Sequence, residues 1–153
     1  MPEREKLKLK DCKSAQNAVL EAVRCYGGFP AGFRPGSGNV KWNSIGSEQS
    51  VGIFPLQGAV YIKKYISGTF KAQMPFQIMY KSFPTNSSTA VNAQTMLEGL
   101  AGFLEGCDVE FENDGMEMES MEQTSVVYKV DENEEYQVCA VNMKMVYVCK
   151  GGR

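Results

Sequence analysis

"YISGTFKAQMPFQIMYKSFP", residues 65–84, alternates apolar and polar side chains for most of its length behind a Ser67-Gly68 pair. Successive side chains of a strand point to opposite faces, so this alternation predicts a long, half-buried strand entered from a tight turn. Upstream, "AVYIKKYI" (59–66) completes a hairpin. Pairing outward from a two-residue turn sets Tyr65 opposite Phe70, Tyr61 opposite Met74 and Ala59 opposite Phe76 on one apolar face. On the other face Lys64 falls opposite Lys71 and Ile62 opposite Gln73, and like charges so opposed weaken a hairpin slightly. Pro75 cannot donate to a ladder, so an edge is expected on one side of its strand. The result is a ribbon with one basic, polar face.

Two helices flank this ribbon. "DCKSAQNAVLEAVRCYGG" offers a cap at Asp11 or Ser14, and places Ala15, Val19, Ala22, Val23 and Tyr26 at helical spacing before Gly27-Gly28. The charged residues 3–10 extend this helix or fray. The second helix is capped near Ser87 or Ser88, carries Ala93, Met96, Leu97, Leu100, Phe103 and Leu104 as its apolar stripe, and ends at Gly106. Gly99 and Gly102, on or near that stripe, would let another element pack closely. Between the first helix and the hairpin, residues 27–58 form a long Gly-, Pro-, Ser- and Asn-rich loop with one apolar island, "VGIF". Such a loop is either a docking element or plain surface.

The last third is strand material. "VEFENDGMEME" reads as a hairpin about Asp114-Gly115, with Phe111 beside Met118, Glu112 against Glu117 and Glu110 against Glu119; otherwise residues 113–123 are an acidic loop. "SVVYKV" and "YQVCAVNMKMVYV" follow, joined by "DENEE", and slipped alternation at Cys139–Val141 suggests a bulge. No internal repeat is visible. The order predicts one α+β domain over residues 1–153: an antiparallel-rich sheet, two helices packed on one face, and a long protruding β-hairpin. The other face of the sheet needs a partner or stays in water.

The composition excludes more chemistry than it suggests. The 153 residues contain no histidine, which removes the commonest general base and metal ligand. Cys12, Cys25, Cys107, Cys139 and Cys149 form an odd set without CxxC spacing, expected to be reduced thiols and not a zinc site. "PGSGN" lacks the lysine of a phosphate loop, and the eight carboxylates of residues 105–122 do not match a calcium loop. Nine methionines suit an adaptable core or a contact surface. No apolar run reaches membrane-span length, and "MPEREKLKLK" is not a signal peptide, so no membrane partner is expected.

Net charge is −2, yet residues 1–90 carry 12 basic and 5 acidic side chains and residues 91–153 carry 4 and 13. Either the fold shows two faces of opposite sign, which would suit head-to-tail self-association, or the two sets mix in space.

The run from Ser44 to Glu105, with "VGIFP", "KKYISG" and "LEGLAGFLE", and the closing "EEYQVCAVNMKMVYV" resemble the tail-terminator (minor capsid, tail-completion or head–tail joining) proteins of long-tailed phages and prophages. The likeness covers roughly residues 45–149 and is one of pattern and order; the long loop and "NDGMEMESME" depart from it. It implies an α+β subunit without cofactors, made in the bacterial host cytoplasm and built into the virion at the head–tail interface. Such subunits form a ring, typically a hexamer, on the end of the tail tube. The ring stops polymerisation and presents a surface to the head. The partners implied are further copies of the chain, the tail-tube protein and a head-completion protein, with lumenal lysines tolerating DNA without reading sequence. Lys63, Lys64, Lys71, Gln73 and Lys81 of the ribbon, with Tyr65, Ser67 and Gly68 at its turn, are the candidate assembly residues. A neighbouring connector or neck protein is the rival within the same machine. A small-molecule enzyme is the rival of another class, and would need a deep pocket with converging polar groups.

Overall fold

The computed structural model describes residues 5–8, 15–29, 33, 39–46, 49–57, 61–83, 87–111 and 115–150. In chain order the elements are β1 (Glu5–Lys8), α1 (Ala15–Arg24), β2 (Val40–Trp42), β3 (Ser50–Pro55), β4 (Tyr61–Lys64), β5 (Phe70–Ser82), α2 (Ser87–Glu105), β6 (Cys107–Glu110), β7 (Met116–Gln123), β8 (Tyr128–Glu132) and β9 (Gln137–Cys149). The fold is α+β, as expected. An open seven-stranded sheet runs β2-β3-β5-β9-β7, with β4 also on β5 and β8 also on β9. A separate parallel pair joins β1 to β6.

The seam of the sheet is β5 against β9, antiparallel over all 13 positions from Phe70↔Cys149 to Ser82↔Gln137. The alternation read in the sequence decides which way β5 faces. Ala72, Met74, Phe76, Ile78, Tyr80 and Ser82 are buried, while the residues between them are half-exposed. From β9, Cys139, Val141, Met143 and Met145 join the same core, together with Met118 and Met121 of β7. Both helices pack on this face. The buried stripe of α2 is Ala93, Met96, Leu97, Leu100, Ala101 and Leu104, with Phe103 half-buried; that of α1 is Ala15, Ala18, Val19, Ala22 and Val23. Burying one such Leu, Ile or Phe is worth about 1.5–3 kcal/mol, and these stripes hold the helices in place.

The sheet is built from one plan used twice. Each inner strand is flanked by an outer strand in two pieces, β3 then β4 along β5, and β7 then β8 along β9. The interruptions fall at matching places: Leu56 N donates to Pro75 O at 3.0 Å, and Thr124 N donates to Asn142 O at 2.8 Å. Residue n of the first hairpin thus corresponds to residue n + 67 of the second, as Phe70 does to Gln137 and Ser82 to Cys149. Pro75 turns its missing N–H toward the interruption, where no ladder partner is lost, so the edge expected there is present. The correspondence is geometric and leaves no visible repeat in the sequence.

Several expectations are corrected. The first hairpin turns through three residues, Ile66-Ser67-Gly68, because Tyr65 N donates to Thr69 O at 2.8 Å and Gly68 takes φ 91°. A left-handed glycine closing a three-residue loop is a standard hairpin solution. The pairing therefore shifts by one: Lys64 faces Phe70, Lys63 faces Lys71, and Tyr61 faces Ala72 across a bulge. Residues 27–58 are no plain loop, since β2 and β3 lie within them and "VGIF" is the strand on β5. The charged N-terminal segment contributes β1 instead of lengthening α1; the caps suggested at Asp11 and Ser14 lie outside the described residues.

Glu110 pairs with Lys8 and not with Glu119, and β7 is a full strand on β9, so neither the acidic hairpin nor the acidic loop forms. The pairing suggested for Glu112 falls outside the described residues. β9 has no bulge of its own against β5. Its alternation fails because Val138 to Val141 are buried on both faces, and the register shift opposite them lies in β8, between Lys129 and Asp131. Neither stripe glycine of α2 admits a packed element. Gly99 accommodates the Tyr26 hydroxyl, which would stand 2.4 Å from a Cβ there, while Gly102 faces open space.

Candidate assembly surface

With both helices on one side, the opposite face of the sheet is built from the residues that β5 and β9 turn away from the core. In rows across the seam these are Lys71 with Val148, Gln73 with Val146, Pro75 with Lys144, Gln77 with Asn142, Met79 with Ala140, and Lys81 with Val138. The face is finished differently at its two ends.

At the β8 end it is closed. Gly52 lets the backbone of residues 43–46 cross β3, since a Cβ at this position would stand 2.4 Å from Ser44 O. Asn43, left-handed at φ 58°, starts that crossing. Gly46 N donates to Ser50 Oγ, and Lys81 Nζ donates to Gly46 O at 3.3 Å. The same ammonium lies 4.1 Å from the ring centre of Tyr136 and 5.8 Å from that of Phe83. Beside it, Gln77 Nε2 donates to Tyr128 Oη at 2.7 Å, and Tyr128 Oη donates to Asn142 Oδ1 at 3.2 Å.

At the other end lies the first hairpin's turn, and it is open. β5 stays paired to β9 as far as Phe70 and to β4 as far as Lys64, so only the turn from Tyr65 to Thr69 reaches past the sheet, although the stretch from Ile62 to Gly68 is exposed. Ile66 at its apex is 108% exposed, Ile62 47% and Tyr65 43%. Lys63 Nζ sits 5.2 Å from the Tyr65 ring centre.

The candidate residues therefore separate into three places. Lys63, Lys64, Tyr65, Ser67 and Gly68 cluster at the tip. Lys71 and Gln73 lie on the open face, where Lys71 pairs with Glu119 of β7; that hydrogen bond first, and the carboxylate's charge second, raise the ammonium's pKa. Lys81 belongs to the closed end and is engaged structurally. The two halves of the charge pattern thus meet on the sheet at Lys71 and Glu119, while Lys150 and Glu117, 4.0 Å apart, pair within the second half. Each tip keeps an excess of one sign, basic at Lys63 and Lys64 and acidic from Asp131 to Glu135, where Lys129 pairs with Glu132 at 3.2 Å. Sequence reasoning placed the second turn at "DENEE", as found from Asp131 to Tyr136, but did not single it out as a candidate, because an acid run passes for an ordinary solvated turn.

Little else among the described residues gathers chemistry. A recess of about 280 Å³ between α1 and β2 is lined by Gln16, Asn17, Leu20 and Trp42, none of them titratable. No group of three or more His, Cys, Asp or Glu side chains is placed to hold a metal ion. Cys25, Cys107, Cys139 and Cys149 are free thiols. Burial raises the pKa of Cys25, Cys139 and Cys149, and Glu21 adds to this at Cys25. No described helix is long and apolar enough to cross a membrane.

The sequence matches no family model and no curated protein. The fold is similar to a chain in the solved structure of the virion of a native gene transfer agent (GTA) particle. The TM-score is 0.55 at 14% identity, over 88% of this chain and 95% of that one. At that identity the likeness is one of fold.

Proposed function

We propose that this chain is a structural virion protein, a tail terminator that closes the end of the tail tube as a ring and offers the head its attachment surface. The observation that carries this reading is the fold shared with a GTA virion chain, almost end to end on both sides. The described surface is consistent with it: a sheet face open at one end, around Lys71 and Gln73, and an exposed tip are what a subunit with neighbours on several sides needs. Its contacts are weak singly and act together once several copies meet on a tube. The reading assigns no catalytic residue, cofactor or metal.

The test is to mix the purified chain with isolated, unterminated tail tubes and, separately, with portal-side head proteins, and to image both. A ring on the tube end, stopping further growth, is the expected result. Binding only to the head side would transfer the chain to the neck, and binding to neither would remove the virion reading. Association should weaken as salt rises, because exposed charges are screened over about 8 Å at physiological ionic strength, and the free protein should run as a monomer at working concentrations. A salt-resistant two-fold dimer would contradict the terminator role, since it uses up the surfaces a ring requires.

A further inference from the structure

The two tips occupy equivalent positions in the doubled plan, and they carry opposite charge. Residues 61–71 hold Lys63, Lys64 and Lys71 and no acid; residues 128–138 hold Asp131, Glu132, Glu134 and Glu135 against Lys129 alone. Because β5 and β9 are antiparallel, the first tip lies beside Cys149 and the second beside Ser82, at opposite ends of the sheet. The outer strands that lead to them, β4 and β8, lie on opposite edges. The basic tip and the acidic tip are therefore diagonal corners of one molecule.

Each corner also exposes apolar surface. At the basic corner this is Ile62, Tyr65 and, fully in solvent, Ile66. Toward the acidic corner Val130 is 45% exposed, with Val126 (77%) farther along the same edge at the interruption of the outer strand, while the Tyr128 hydroxyl is held by Gln77 and Asn142. Exposed apolar side chains scattered singly need no explanation, but apolar surface beside turns of opposite charge forms a complementary pair. One corner cannot reach the other within a subunit. A neighbour's corner can reach it.

We infer that the basic tip of one copy docks on the acidic corner of the next. Ile62 and Ile66 would lie against Val126 and Val130, while Lys63 and Lys64 face Asp131, Glu132, Glu134 and Glu135. Such a contact is heterologous, since different surfaces meet, and repeated by rotation it closes a ring. This rests on the ring reading above and names the surfaces that build it.

The experiment is site-directed cross-linking of the full chain at high concentration and low salt, and again on tail tubes, in a Cys25→Ser background. An Ile66→Cys population mixed with a Val130→Cys population should give a cross-linked mixed dimer, and neither alone should exceed the background. Lys63→Glu with Lys64→Glu, or Glu134→Lys with Glu135→Lys, should each weaken association by at least about tenfold. All four changes in one chain should restore it, which also shows that the variants fold.

Unchanged association in both charge variants, no restoration by the four changes together, or cross-linking of Ile66→Cys with itself would overturn the contact. So would a tip variant that still associates but no longer retains duplex DNA, which would turn the tip toward DNA instead. Ile66→Cys and Val130→Cys chains that together cap tubes without forming the mixed cross-link remove this contact and leave the terminator reading standing. Cross-linked copies that never bind a tube do the reverse.

Discussion

At the apex of the first hairpin Ile66 stands entirely in solvent, whereas at the second the ring of Tyr136 is held between Lys81 and Phe83, its centre 6.2 Å from that of Phe83. The two hairpins otherwise follow one plan, with an inner strand of 13 residues and an outer strand broken at the same height. The difference is what each turn rests on. The second turn is fixed by its own side chain, since Asn133 Oδ1 accepts from Glu135 N and Tyr136 N at 2.8 and 2.9 Å, and by the aromatic clamp beside it. The first turn rests on its backbone bonds, a left-handed glycine and contacts among its own residues, Thr69 N to Ser67 Oγ at 3.5 Å and Lys63 over the Tyr65 ring. A plan used twice is clamped by Lys81 and Phe83 at one turn and leaves Ile66 in solvent at the other.

The comparison can be attacked first where the two hairpins are the same. Phe76 and Met143 face each other across the seam, occupy equivalent positions in the two halves, and are fully buried. Phe76→Ala should cost about 3–5 kcal/mol and Met143→Ala about 2–5 in urea unfolding. A loss under about 1 kcal/mol at either would show that the two hairpins do not share one core.

The tips themselves come next. Tyr136→Ala removes the cation–ring and ring–ring contacts of the anchored turn and should cost about 1–2 kcal/mol. Tyr65→Ala should stay within about 0.5 kcal/mol, because its ring lies on the surface, 43% exposed, with Lys63 over it. Equal effects from these two changes would erase the asymmetry between the turns.

Gly68→Ala tests the backbone of the free tip. An L side chain at φ 91° is strained, so a cost of about 1 kcal/mol is expected. A neutral result, read by thermal unfolding, would mean that this turn relaxes to another conformation without penalty.

The smallest effect belongs to the lysines. Lys63→Glu with Lys64→Glu should leave stability within about 0.5 kcal/mol per site. Lys71→Glu should cost slightly more, because it would set a third carboxylate beside Glu119 and Glu122 in place of the present ion pair. A pair of tip substitutions that unfolded the chain would make the basic tip a folding element.

The helices and the long strand were legible because local patterns decided them. The stripe of α2 and the alternation of β5 follow from one-sided burial, and each names its own buried residues. β3 was harder to read. Its "VGIF" sits among glycines and asparagines that signal loop, and it is a strand because β5 offers it a ladder and Ser44 can cross at Gly52. β1 has no pattern of its own, since "EKLK" becomes a strand only by pairing with Cys107–Glu110. Lys71 read as part of a basic ribbon because Glu119 lies 48 positions away in the chain.

By itself the sequence determined most of the buried stripes of α1 and α2, missing Ala18 and Ala101, and the alternation of β5, and it placed the turn at Ser67-Gly68 between lysines, because periodicity and glycine placement are local. Tertiary structure alone decided that a second hairpin repeats the first at a fixed offset, that Lys71 meets Glu119 on the sheet, and that the basic and acidic turns stand at diagonal corners. Pairing between strands some 67 residues apart is a property of the folded chain, since no local preference encodes a partner that far away.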